Sequence, residues 1–242
     1  MAVRFGVVGT GNIGSQHIQL LNSGKVAGAT VAATASRSTP DLVTGVPHFV
    51  DYRQMFSDAD INAVLIATPT MSHVEVAQAA LEHNFHVVME KPIAMSIHQA
   101  ETLLARVPDD LKFAVMLNQR FHPAYAKLKQ LLVDDAIGSL QRVSWTMTAW
   151  YRPDIYYQVS SWRGTWPGEG GGLLINQCIH NLDVLQWLVG LPNSITANVR
   201  FGKYHNIDVE DEVSALMTFE NGATGMLTAS CGEAPGVNRI EI

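Results

Sequence analysis

The sequence predicts an α/β chain that changes character near its middle. A doubly wound parallel sheet is expected over residues 1–118, and an α/β domain with an open, mainly antiparallel sheet over 119–242. Two observations carry this. Short apolar runs alternate with amphipathic helical stretches about six times through the first half. From Val143 onward, apolar and polar residues instead alternate with a period of two, the mark of strands with one buried face.

Arg4 to Val8 is the first strand. It runs into Gly9-Thr10-Gly11-Asn12-Ile13-Gly14, after which Ile18, Leu20 and Leu21 fit an amphipathic helix. Strand, glycines and helix in this order are what a dinucleotide-binding turn needs. Gly9 permits the turn, Gly11 lets a pyrophosphate approach the backbone, and Gly14 lets helix and strand close up. The helix N-terminus then presents N–H groups to phosphate. A glycine turn with no ligand would use the same residues. The second strand, Ala29 to Ala35, ends at Ser36-Arg37-Ser38 instead of the Asp or Glu that binds the ribose hydroxyls of NAD. A hydroxyl and a guanidinium suit a 2′-phosphate, which favours NADP over NAD. An Arg37 that is merely solvated, or that stacks on adenine with either cofactor, is the alternative.

Ile61 to Thr68 is a continuous apolar run, as a strand buried on both faces should be, and Pro69 stops it. Val74, Val76, Ala77, Ala80 and Leu81 place a helix over 73–83. His86 to Met89 is the next strand. It delivers Glu90-Lys91-Pro92 to the same sheet edge as the glycine loop, the edge where ligands bind in open α/β sheets. A helix from about Ser96 to Arg106 and a strand from Phe113 to Leu117 complete this half.

In the second half, residues 123–133 read as a helix. Val143, Trp145, Met147 and Ala149 then mark one strand, and Val213, Ala215, Met217 and Phe219 another. Asn221-Gly222 makes a hairpin turn, and Gly225 to Ser230 returns as its partner. Of the chain's five Trp and six Tyr, seven fall between Trp145 and Trp166. These rings suit packing against sugar C–H groups, a neighbouring subunit or simply the core. Gly170-Gly171-Gly172 opens a helix expected to run through Trp187. At about 100° per residue, Asn176, His180 and Asp183 fall within roughly a 60° arc of it. A polar stripe on an otherwise apolar helix needs a partner, either a ligand or a structural network of His180, Asp183 and backbone.

Composition excludes several classes. The formal charge is −6, from 22 acidic and 16 basic residues, which argues against nucleic acid or an anionic membrane as partner. No apolar stretch reaches 18 residues, so no span of a bilayer is expected. The opening residues run directly into a strand, so no signal peptide is expected either. Cys178 and Cys231 read as two reduced thiols of a cytoplasmic protein. His83 and His86 lack a third ligand, and no metal site is expected.

Together these residues resemble the Gfo/Idh/MocA family of oxidoreductases, over essentially the whole chain. The likeness is carried by Gly9-x-Gly11-x-x-Gly14, Ala67-Thr68-Pro69 with His73, and Glu90-Lys91-Pro92. It continues through Asn118-x-Arg120-Phe121, Trp162-Arg163, and Gly170-Gly171-Gly172 followed by His180-x-x-Asp183. The resemblance implies a Rossmann domain that binds NAD(P), joined to a substrate-binding domain. The open sheet of the second domain is expected to build homodimers or homotetramers. The implied reaction is nicotinamide-dependent oxidation or reduction of a hydroxyl or carbonyl on a sugar, cyclitol or related compound. By the same resemblance, the Gly9–Gly14 loop, Ser36, Arg37, Thr68, Pro69, His73, Glu90 and Lys91 border the cofactor. Asn118, Trp162, Arg163, Asn176 and Asp183 border the substrate, and Lys91 and His180 carry the chemistry.

Two departures bear on this. Many members of the family have Asp where this chain has Asn176, so His180 is expected to be a weaker base. Family chains also usually continue beyond the equivalent of Ile242, and Gly236 to Ile242 reads as a strand that never reaches its turn, which suggests a truncated chain. Two rival readings keep the fold and change the function: a non-catalytic NAD(P)-binding regulator, and a redox-neutral glycosidase that uses NAD transiently.

Overall fold

The computed structural model describes residues 2–37 and 45–242. The chain divides into two units, with the boundary between Met116 and Leu117. In the first, β1 (Val3–Val8), α1 (Asn12–Asn22), β2 (Ala29–Ala35), β3 (His48–Phe49), α2 (Tyr52–Asp58), β4 (Ala63–Ile66), α3 (His73–Glu82), β5 (His86–Met89), α4 (Ile97–Leu104) and β6 (Phe113–Val115) follow in order. The strands form a sheet in the order β3-β2-β1-β4-β5-β6, with every neighbouring pair parallel. The chain builds outward from β1 in one direction, then from β4 in the other. A crevice forms at such a reversal, and ligands use it.

Alternation along the strands explains the two cores. Val7 and Leu65 pack with Ile18 and Leu21 of α1 on one side. Val8 and Ile66 pack with Met55, Phe56, Val76, Leu81 and Leu103 on the other. All four residues of β4 are buried, as a strand covered on both faces requires. Fully burying Ile18 or Leu21 contributes roughly 1.5–3 kcal/mol each. Leu20 is 45% exposed, because at about 100° per residue it lies on the side of α1 opposite Ile18. The apolar run 61–68 gives a strand of four residues, flanked by further hydrogen bonds from the Asn62 N–H to Arg4 O at 3.0 Å and from the Ala67 N–H to Val8 O at 2.8 Å.

The second unit opens on a 3-10 turn, Asn118–Phe121, followed by α5 (Pro123–Val133), β7 (Arg142–Met147), α6 (Asp154–Gln158), α7 (Trp166–Glu169), α8 (Leu173–Asn176), α9 (Ile179–Val189), β8 (Ser194–Phe201), β9 (Glu210–Thr218), β10 (Thr224–Ser230) and β11 (Asn238–Glu241). Its five strands lie in the order β11-β7-β10-β9-β8. The β7–β10 pair is parallel and the other three are antiparallel. Val143, Trp145 and Met147 of β7 are at most 1% exposed and pack against Leu173, Val184, Leu185 and Leu188. The Asn221-Gly222 hairpin forms, with only Gly222 taking a positive φ, +85°.

Two features differ from the sequence-based expectation. The helix predicted from Gly172 to Trp187 is broken into α8 and α9. At the break the Cys178 N–H bonds Leu173 O at 2.9 Å, a five-residue step that widens the turn. Asn176 and His180 therefore stand on separate helices, and the 60° arc does not describe them. Strand β8 was not anticipated, although Ile195, Ala197, Val199 and Phe201 alternate through it. It is exposed along its whole length. Among the described residues, no helix is long and apolar enough to cross a membrane.

Candidate active site

Because β1, β4 and β5 are adjacent and parallel, the residues that follow them share one edge of the first sheet. Those residues are the glycine loop, Thr68-Pro69 and Glu90-Lys91. Gly9 has φ +91°, and a Cβ there would lie 2.6 Å from Ala67 O. A Cβ on Gly14 would lie 1.9 Å from Gly9 O, whereas one on Gly11 would meet nothing within 4 Å. The outer glycines are thus required by the protein's own backbone, while the middle one leaves open space. A dinucleotide pyrophosphate fits that arrangement. Asn12 and Ile13 open α1, and no side chain caps the helix at Gly11, so its first-turn amides suit phosphate oxygens.

The hydroxyls of Thr10 and Ser36 are 2.6 Å apart and tie the glycine loop to the end of β2. The Ser36 N–H also donates to Phe49 O at 3.0 Å. Arg37 is exposed beside them, and Ser38 lies outside the described residues.

His73, expected to border the cofactor, joins two loops of this edge. It is 1% exposed, with Nδ1 2.7 Å from Pro92 O and Nε2 2.9 Å from Thr68 O. The ring braces the loop after β4 against the loop after β5 and has no polar atom left to offer. Burial lowers its pKa, outweighing the two carbonyls that favour the charged form. The Thr68 hydroxyl itself is buried and has no hydrogen-bond partner among the described residues, which suits it to a ligand at this edge. Pro69 is exposed.

Glu90 is likewise a brace. One oxygen lies 2.7 Å from His17 Nε2 of α1, and the other accepts the Lys91 N–H at 3.3 Å. This fixes the backbone from which Lys91 projects, half-buried. The role of His17 was not legible in the sequence, where it is one polar residue on a surface helix.

In the second unit, Asn176 donates through Nδ2 to Glu169 Oε1. Glu169 is 4% exposed, and its other oxygen accepts the Gly164 N–H at 2.7 Å. Sequence reasoning missed this carboxylate. The available signal was an acid between glycines in an apolar segment, which must find donors if buried. Glu210 was missed for the same reason; it accepts the N–H groups of Gly172 and Leu174 and so holds the start of α8. A Cβ on Gly172 would lie 2.2 Å from Glu210 O, which explains the last glycine of the triplet.

His180 sits in the first turn of α9, half-buried. Asp183, expected to border the substrate, is engaged by Arg120 through both oxygens, one at 2.7 Å. Bidentate pairing is the preferred use of a guanidinium beside a carboxylate. Asn118 is exposed in the 3-10 turn. Trp162 and Arg163 are half-buried, with Arg163 Cζ 4.8 Å from the Trp162 ring centroid.

Two other features of the second unit lack the geometry of a reaction centre. Cys231, His205 and Asp211 cluster, but Sγ and the carboxylate face the same nitrogen, His205 Nδ1, at 3.9 and 3.2 Å. His205 Nε2 is at Arg152 O, 2.7 Å away, so no proton relay runs between acid and thiol. Burial also raises the Cys231 pKa, which leaves an inert thiol. A cavity of about 530 Å³ is lined by Leu132, Leu188, Gly190, Phe219 and Asn221. It lies at the far end of α9 from His180, on the order of 15 Å away along the helix, and holds none of the residues above.

Comparison with known proteins agrees with this geometry. Residues 3–117 match an oxidoreductase family with an NAD-binding Rossmann fold, and residues 125–242 match the GFO/IDH/MocA C-terminal domain. A levoglucosan dehydrogenase of Pseudarthrobacter phenanthrenivorans is 30% identical over 203 residues, covering 74% of this chain and 52% of its own length. An inositol 2-dehydrogenase of Rhizobium meliloti is 28% identical over 257 residues, covering 100% of this chain and 73% of its own. The crystal structure of the WlbA dehydrogenase from Chromobacterium violaceum, in complex with NADH and UDP-GlcNAcA, aligns with a TM-score of 0.88 at 26% identity, over 97% of this chain and 69% of that one. The chain thus spans about half the length of the first relative and about three quarters of the second. Matched along nearly its whole length, it belongs to the GFO/IDH/MocA family of oxidoreductases, with an NAD-binding Rossmann fold in its first half.

Proposed function

We propose that this protein transfers hydride between NAD(P) and a hydroxyl or carbonyl of a sugar, cyclitol or sugar-derived substrate. The observation that carries the reading is the shared edge of β1, β4 and β5, where the open Gly11, the unpartnered Thr68 hydroxyl and Lys91 follow three adjacent strands. Residues 1–118 form the cofactor domain and 119–242 the substrate domain. The relatives named for levoglucosan and inositol support a carbohydrate-like substrate.

When bound, the nicotinamide takes or gives the hydride. Lys91 hydrogen-bonds the reacting oxygen and stabilises the negative charge that develops on it. His180 accepts the carbinol proton on oxidation and returns it on reduction. Asn176, steadied by Glu169, orients substrate hydroxyls, with Asn118, Trp162 and Arg163 also bordering the substrate. The missing carboxylate at the end of β2, with Ser36 and Arg37 in its place, supports NADP as the better cofactor and NAD as the second. The fully exposed β8, with Ile195 60% and Phe201 55% exposed, supports a homodimer or homotetramer built through the open sheet. The free Cys178 and Cys231 support a cytoplasmic setting.

The test is cofactor fate. The protein is incubated with NAD or NADP and a panel of sugars, inositols and nucleotide sugars, and the reduced-nicotinamide band is followed. Net change with one substrate class is the expected result. Product without net change indicates a redox-neutral glycosidase, and binding of cofactor with no product indicates a regulator. With a substrate in hand, Lys91→Ala should lower kcat about 10²–10⁴-fold. Unchanged turnover with intact cofactor binding removes Lys91 from the chemistry. A pH–rate profile that keeps its shape in His180→Ala removes His180.

A further inference from the structure

We propose that Arg152 and Arg163, gathered around Tyr156, form an oxyanion subsite of the second unit, and that the substrate is an anionic sugar derivative carrying a carboxylate or a phosphate. Arg163 Cζ lies 4.4 Å and Arg152 Cζ 4.8 Å from the Tyr156 ring centroid. The two guanidiniums therefore share one aromatic ring and cannot be further apart than those two distances together. Arg152 also lies 5.7 Å from the Trp150 ring.

Stacking accounts for the contacts with the rings but not for the donors. A guanidinium carries five N–H groups. Among the described residues, neither arginine has an ion-pair partner, and the one side-chain hydrogen bond between them is a 3.4 Å contact from Arg152 to Tyr151 O. The Nε of each is shut off from solvent without a partner. Two like charges on one ring repel, and unpartnered buried donors carry a desolvation cost. An oxyanion set between the guanidiniums removes both penalties and matches their planar fork.

The subsite is also held in place. The Arg152 N–H donates to Cys231 O at 2.9 Å, and its carbonyl accepts from His205, whose ring is anchored on Asp211. Next to Arg163, the Gly164 N–H donates to Glu169, the same carboxylate that takes Asn176. The cationic pair is thus linked to Asn176 through Gly164 and Glu169. Fixed donors lose little freedom when a ligand arrives. This inference deepens the oxidoreductase reading and rests on it only for what carries the anion.

The experiment measures binding without turnover. The protein, saturated with cofactor, is titrated calorimetrically with glucose, glucuronate and glucose 6-phosphate. Both anions, or one of them, should bind about 10–100-fold tighter than glucose, and less tightly as salt rises. The tighter of the two identifies carboxylate or phosphate as the group recognised. Arg163→Gln and Arg152→Gln should each erase most of that preference and leave cofactor affinity unchanged, which also reports an intact fold. Should a glutamine variant fail to fold, Arg163→Lys and Arg152→Lys keep the charge and lose the fork, and should keep only part of the preference. Equal binding of the three sugars, or an anion preference untouched in both variants, overturns the subsite. An anion preference with no turnover of any sugar retires the oxidoreductase reading and leaves the subsite standing.

Discussion

His17 Nε2 lies 2.7 Å from Glu90 Oε1, tying the helix after the glycine loop to the residue before Lys91. Burial alone would raise the Glu90 carboxyl. The His17 hydrogen bond and charge, with Lys91 behind them, outweigh it and hold the group below its ordinary 4.5. The unfolded chain therefore takes up this proton at higher pH than the folded one. The stability Glu90 contributes is complete above about pH 4.5 and is lost as pH falls through the lower folded value. Urea melts of Glu90→Gln should show a deficit against the parent protein at neutral pH that closes below the ordinary carboxylate range. A deficit constant from neutral pH to pH 3 would show that the carboxylate's charge has no part in the brace.

His73 supports the same edge from within. A neutral imidazole has one N–H and so serves one of its two carbonyls at a time. Replacing the ring with an apolar one, His73→Phe, removes the one N–H that Thr68 O and Pro92 O share, and we expect a loss of about 1–3 kcal/mol. Because burial lowers the pKa of His73, the unfolded chain gains this proton first as pH falls below about 6.5, and stability falls with it. The variant should lose that slope and bind NAD(P) more weakly, since the two loops it joins border the cofactor. Unchanged cofactor affinity in a destabilised variant would make His73 a core residue only.

The sequence made the first unit largely legible because its signals are local. A tight glycine turn, a four-residue buried strand and a Pro-stopped run each leave a trace within a few residues. The polar residues were legible as positions and not as partners. His73, Glu90 and Asp183 were read as bordering ligands, and the sequence did not show that each also has a protein partner distant in sequence: Pro92, His17 and Arg120. Glu169 and Glu210 were invisible for the converse reason, since the backbone amides and the Asn176 amide that hold them come together only in the fold. The break at Gln177-Cys178 has no proline or glycine to announce it. Strand β8 was missed although Ile195, Ala197, Val199 and Phe201 alternate through it, because both of its faces are exposed and no buried stripe marks it.

Asp183 and Arg120 anchor the 3-10 turn at the start of the second unit to α9. The Arg120 pKa is raised chiefly by its hydrogen bond to Asp183. With the Arg120 side chain 41% exposed and that of Asp183 10%, solvent screens one end of the pair. Asp183→Asn should therefore cost about 1–2 kcal/mol, more than a surface pair and less than a fully buried one. Its effect on kcat should be small beside that of His180→Ala. A loss of activity as large as that of His180→Ala, with stability unchanged, would return Asp183 to the substrate.

Cofactor choice turns on the end of β2. The Ser36 hydroxyl is tied to that of Thr10, and Arg37 is exposed beside it, so the guanidinium can reach a phosphate without breaking a contact among the described residues. Arg37→Ala should reduce kcat/KM for NADP about tenfold and leave that for NAD nearly unchanged, because the guanidinium's fork matches a 2′-phosphate and has no carboxylate-like partner on a bare diol. Ser36→Asp should move preference the other way: a carboxylate accepts the ribose hydroxyls of NAD and repels the extra phosphate of NADP. Steady-state rates with both cofactors at one substrate concentration measure the ratio. An Arg37→Ala variant that loses NAD and NADP alike would show the side chain stacking on adenine, with the 2′ position read elsewhere.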